Sequence, residues 1–139
     1  LDADLGFYFV DAAGRAVEPS RLIDVHADGS ATYRGRTVRF DAARNWAMLE
    51  SLLTDPEADL QIALVGESVR ALVLEEAQRQ GVSRDLLVRA ARVMVIPRAG
   101  QHPHLNHFHV RIFCPEDANR CEDPRELWEW TEAARAERA

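Results

Sequence analysis

The stretch from His107 to Phe113, His-Phe-His-Val-Arg-Ile-Phe, alternates polar and apolar side chains with a period of two. That period belongs to a half-buried β-strand, and it puts His107, His109 and Arg111 on one face and Phe108, Val110 and Ile112 on the other. His104 and His102 lie just upstream, so four of the five histidines fall within eight residues. A strand fixes the directions of its side chains, which makes two imidazoles on one face a candidate metal-binding surface. The plainer alternative is a surface strand whose histidines only satisfy hydrogen bonds.

The first ten residues, Leu-Asp-Ala-Asp-Leu-Gly-Phe-Tyr-Phe-Val, alternate in the same way. Ala3, Leu5, Phe7 and Phe9 share one face, and Asp2, Asp4, Gly6 and Tyr8 the other. Zinc takes His, Cys and carboxylate ligands, and a catalytic site keeps one position for water. Were this strand paired with the histidine strand, Asp4 and His109 would reach one ion. Spacing alone does not establish that pairing, and Asp2 and Asp4 are equally readable as ordinary polar-face residues.

Between these two segments the pattern is mixed. Residues 22–27 and 31–40 read as short strands around the turn dipeptide Asp28-Gly29, with Gly35 a candidate for a further bend. Asp41 is a candidate N-cap for a helix over 42–53 with Trp46, Leu49 and Leu53 on its core stripe. A buried strand over 60–65 follows, then helices over 68–80, stopped by Gly81, and 83–93. Residues 97–103 form a loop, and a last helix is expected to start near Pro124 and carry Trp128 and Glu129. Of Trp128 and Trp130, one is expected to be buried and the other to line a groove. His26 and His102 read as bystanders. With no repeat and no linker, the 139 residues predict a single α+β domain with a central antiparallel β-sheet flanked by helices.

A net charge of −6 argues against a nucleic-acid partner, because phosphate backbones are bound through clustered positive charge. No apolar run approaches the length that spans a bilayer. Residues 1–9 lack the features of a signal peptide, so any export signal is expected upstream or already removed. Cys114 and Cys121 are separated by six residues. They suit either a small disulfide loop or two free thiols, and that spacing is long for a zinc-thiolate pair.

The run His104-Leu-Asn-His107-Phe-His109-Val-Arg-Ile-Phe-Cys114-Pro115, followed by Cys121-Glu-Asp, resembles the penicillin-insensitive murein endopeptidases. Leu1-Asp2-Ala3-Asp4 is similar to the tail of that family's second motif, His-x-x-Gly-Leu-Asp-x-Asp. The resemblance covers most of residues 1–123, in pattern more than in identity through the middle. It implies the zinc-peptidase fold shared with lysostaphin-type endopeptidases, D-alanyl-D-alanine peptidases and hedgehog proteins. It implies Asp4 and His109 as two of three protein ligands to a catalytic Zn2+, and His107 and His104 as catalytic histidines. Asp2 is implied as a polar neighbour of the metal aspartate, and Cys114 with Cys121 as a disulfide in an exported, periplasmic protein. The family's first zinc ligand is a histidine that falls four residues upstream of Leu1, so the chain is similar to the C-terminal part of such a domain.

The expected function is therefore a zinc metalloendopeptidase that hydrolyses peptide cross-links of bacterial peptidoglycan, such as D-alanyl–meso-diaminopimelate. A peptidoglycan-binding domain with an incomplete metal site, and a D,D-carboxypeptidase, are the alternatives.

Overall fold

The computed structural model describes residues 1–139, and its fold is α+β, with four helices and two antiparallel sheets. The three-stranded sheet has the order β1 (Asp2–Gly6), β7 (His107–Ile112), β6 (Leu60–Leu64). Strand β7 is thus central and draws on both ends of the chain. The ladder aligns Asp2 with Arg111, Asp4 with His109 and Gly6 with His107. The pairing that spacing left open is present, in the register that brings the acidic and histidine faces together.

Alternation also predicted the buried side. Phe108 is fully buried and Val110 nearly so, while Arg111 and His109 stay partly accessible. The first ten residues do not form one strand, however. The chain leaves the first sheet after Gly6 and enters the second at β2 (Phe9–Val10), which pairs with β3 (Ala16–Val17) and β5 (Arg36–Phe40). Phe7 sits at the crossing, edge-on to Phe40 at 5.1 Å and to Phe108 at 5.0 Å between ring centroids. These edge-to-face contacts suit the aromatic quadrupole and tie the two sheets into one core.

Two expectations for the second sheet need correction. The hairpin joins β4 (Ser30–Tyr33) to β5 through Arg34-Gly35, not through Asp28-Gly29. Both turn residues have positive φ, 50° and 72°, as a two-residue hairpin with the right-handed strand twist requires. Residues 22–27 are not a strand. They run between the sheets with Ile23 and Val25 buried, and the Val25 amide donates to the Leu105 carbonyl at 2.8 Å.

Helices α1 (Ala42–Thr54), α2 (Glu67–Arg79) and α3 (Arg84–Val93) lie within a residue or so of their predicted limits. Asp41 caps α1 by accepting from the Arg44 amide at 3.1 Å, and Ser83 caps α3 by accepting from Leu86 at 3.2 Å. Trp46, Leu49 and Leu53 are buried in one stripe of α1, as are Val69, Val73 and Ala77 in α2. None of the four helices is long and apolar enough to cross a membrane.

The C-terminal helix departs from expectation. Helix α4 spans Glu129–Arg138, so it begins after Trp128 rather than near Pro124. The Trp128 indole donates to the Gln61 carbonyl at 2.8 Å, which holds that residue extended ahead of the helix. Trp128 and Trp130 stack at 5.1 Å with Arg92 over both rings, and both are half-buried, while Trp130 also lines a groove between α4 and the end of α1. Arg135 then ties α4 to Asp59 at 2.8 Å and to the Cys114 carbonyl at 2.7 Å. Cys114 and Cys121 are joined as a disulfide. Asp123 supports that loop by accepting from the Cys114 amide at 3.0 Å.

Candidate functional site

The polar face of the β1–β7 ladder gathers Asp2, Asp4, His104, His107, His109 and Arg111. In register pairing across the ladder, the Asp4 Oδ1 atom lies 2.8 Å from His109 Nδ1. The same oxygen is 3.5 Å from His107 Nε2. Asp2 Oδ1 stands 3.0 Å from the other nitrogen of His109, Nε2. Arg111 grips Asp2 with two bonds, 2.7 Å from Nε and 3.1 Å from Nη2, a fork-on-carboxylate contact that fixes the carboxylate's direction.

His109 is therefore held between two carboxylates. A neutral imidazole carries one N–H, so it can donate to only one of them. The other contact sets a lone pair against an oxyanion until a proton or a metal cation stands between.

The charges of the pair partners follow from these contacts. Hydrogen bonding from Arg111 is the main cause holding the Asp2 carboxyl below its ordinary range, and Asp2 in turn raises the Arg111 guanidinium. The hydrogen bond from His109 lowers Asp4 in the same way. His107 moves down chiefly because it is buried, which disfavours its charged form, against an opposing pull from Asp4. His107 thus remains neutral near pH 7, with lone-pair capacity for a proton.

The approach to the strand places the remaining histidines. His104 takes a left-handed backbone, φ 51°, uncommon for a residue with a side chain. His104 Nδ1 lies 2.7 Å from the His102 carbonyl, and its amide donates to His102 Nδ1 at 3.1 Å. The His104 ring comes 4.9 Å from that of His107 and 6.2 Å from that of His109. His102, read from sequence as a bystander, is 4.9 Å from His104 and belongs to the same cluster. Its place in a Pro/Gly-rich loop gave no periodic signal. His26 is exposed and takes no part.

Gly66 sets the height of this loop. Its amide donates to the His104 carbonyl at 2.9 Å. A Cβ at position 66 would lie 2.8 Å from the Pro103 carbonyl oxygen and 2.7 Å from a Leu105 methyl. Only glycine admits so close an approach.

The zinc implied by the sequence resemblance finds part of its ligand set in these residues. Zinc ligands about 2.0–2.1 Å from a tetrahedral centre stand about 3.3 Å from each other. Asp4 Oδ1 and His109 Nδ1 are about half an ångström inside that separation, and their oxygen and imidazole donors suit the ion. No group of three or more His, Cys, Asp or Glu side chains in the chain is arranged to hold a metal. Residues 1–139 thus supply two convergent donors and not a complete site.

No protein-family model, curated protein or solved structure matches the chain.

Proposed function

We propose that the protein is a zinc-dependent peptidase that hydrolyses peptide cross-links of bacterial peptidoglycan, the activity implied by its resemblance to the penicillin-insensitive murein endopeptidases. The observation that carries this reading is the convergence of Asp4 Oδ1 on His109 Nδ1, with the His107 ring 3.5 Å from the same carboxylate oxygen. Asp4 and His109 would supply two of the protein ligands to the zinc. Bound there, the ion supplies Lewis acidity for the scissile carbonyl and its water.

The remaining residues divide the proton and charge work. His107, kept neutral by burial, accepts a proton from the attacking water. His104, within 4.9 Å of it, steadies the negative charge that develops on the carbonyl oxygen. Asp2 holds the outer nitrogen of His109, so the ring keeps Nδ1 turned toward Asp4. A shallow concavity of about 310 Å³, lined by Gly6, Leu22 and Asn106 among others, adjoins the cluster and offers room for a peptide stem. The disulfide suits an oxidising compartment such as the periplasm.

The test is to incubate the zinc-loaded full-length protein with purified cross-linked muropeptide dimers and with pentapeptide monomers. Release of monomers from dimers supports the endopeptidase. Loss of only the terminal D-alanine from monomers makes it a D,D-carboxypeptidase. Binding to sacculi without cleavage makes it a peptidoglycan-binding module.

A further inference from the structure

Asp24 belongs to none of the motifs above, yet it reaches the histidine cluster. It lies in the extended segment that passes beside the loop before β7, where Ile23 and Val25 point into the core on either side. The bond from the Val25 amide to the Leu105 carbonyl pins that segment next to Asn106. From there the Asp24 carboxylate accepts from the Asn106 amide nitrogen, Nδ2, at 2.9 Å. The other end of the same amide, Oδ1, faces His107 Nδ1 at 2.5 Å.

The chemistry of the three groups leaves one consistent arrangement. An ionised carboxylate only accepts, so it must face the NH2 end of the Asn106 amide. That choice turns the amide oxygen, also an acceptor, toward His107. The Nδ1 atom must therefore carry the proton, and a neutral His107 then has its lone pair on Nε2. Nε2 is the nitrogen on the side of Asp4.

We propose that Asp24 is a positioning residue that acts through Asn106 to fix the tautomer and ring direction of His107. Asp24 sets the amide, the amide sets the proton on Nδ1, and Nε2 is left bare on the site side. The proposal rests on the peptidase reading for the use made of that bare nitrogen, and on the hydrogen-bond chain alone for its existence. Position 24 is exposed, so removing its carboxylate leaves the core untouched.

The experiment is a long-range nitrogen–proton correlation spectrum of the 15N-labelled protein above neutral pH, which reads the tautomer of each histidine. In the wild type, His107 is expected to hold its proton on Nδ1. In Asp24→Ala, and in Asn106→Ala, His107 is expected to lose that single tautomer while the amide signals of the distant helix α4 (Glu129–Arg138) stay in place. In muropeptide cleavage by the zinc-loaded protein, Asp24→Ala is expected to lower kcat about 10- to 100-fold with KM unchanged. A wild-type His107 protonated on Nε2 overturns the proposal, as does an Asp24→Ala spectrum identical to the wild type. Tautomer loss in Asp24→Ala from a wild type that cleaves nothing sinks the peptidase reading and leaves the positioning role standing.

Discussion

Asp4 Oδ1 and His109 Nδ1 stand 2.8 Å apart across an antiparallel ladder that joins residues 105 positions distant in the chain. Neither residue depends on a loop for its place. Both lie on strands, so the pair is held by backbone hydrogen bonds that cost much to break. The site face is nonetheless open, with 59% of the Asp4 side chain accessible.

Asp2 should matter to metal affinity without touching the metal. It holds His109 Nε2 at 3.0 Å and is itself fixed by Arg111. Replacing it with Asn removes the negative charge that faces the outer nitrogen of a metal-bound imidazole. Asp2→Asn is expected to weaken zinc binding about 10- to 100-fold, measured by competition with a chromophoric chelator. Unchanged affinity would remove Asp2 from the site.

Gly66 offers a purely steric test. Its φ of −60° and ψ of 147° suit alanine, so backbone strain is not at issue. The new methyl would instead press on the Pro103 carbonyl oxygen, 2.8 Å away, and push the His104 loop outward. Gly66→Ala is expected to cost about 1–3 kcal/mol in denaturant unfolding, with His104 amide and ring shifts in NMR spectra. A variant as stable as the wild type would mean that the loop yields freely.

Glu76 gives a pH dependence of stability. Hydrogen bonds from Arg79, then from Gln80, hold its carboxyl below the ordinary value of 4.5. A depressed folded-state value means that the stabilisation is present above about pH 4.5 and is lost as pH falls through the folded value. The Tm advantage of wild type over Glu76→Gln is therefore expected at pH 7 and should close in acid. A gap that persists at low pH would place its origin in packing rather than charge.

The disulfide closes a short loop, and chain entropy alone gives such a link about 2.5 kcal/mol. The Cys114→Ser, Cys121→Ser double variant is expected to lose roughly that amount in urea unfolding, with the β1–β7 site retained. Loss of all structure would show that the loop anchors α4 more strongly than the Arg135 contacts suggest.

Helices α1 to α3 and strand β6 were legible because their signals are local: Asp41 and Ser83 as caps, Gly81 as a stop, and stripes of apolar residues. The faces of β1 and β7 were legible for the same reason, since period two assigns sides. Partners were not, because alternation says nothing about which strand lies beside which. The run from Leu1 to Val10 concealed a change of sheet at Phe7, whose burial keeps the alternation unbroken through the crossing. Val25 and Ile23 gave residues 22–27 the look of a strand, but their partners are core side chains and one loop carbonyl. Asp24 and Asn106 were unreadable for a related reason: a carboxylate and an amide 82 positions apart carry no periodic mark.

The central claim is that Asp4 and His109 are metal ligands of a hydrolytic site. Its most direct measurement is zinc content together with cleavage of cross-linked muropeptide dimers, in the full-length wild type and in His109→Ala. The account predicts about one zinc per chain and dimer cleavage in the wild type, with both lost in the variant. A His109→Ala protein that retains its zinc or turns over dimers at the wild-type rate would contradict it.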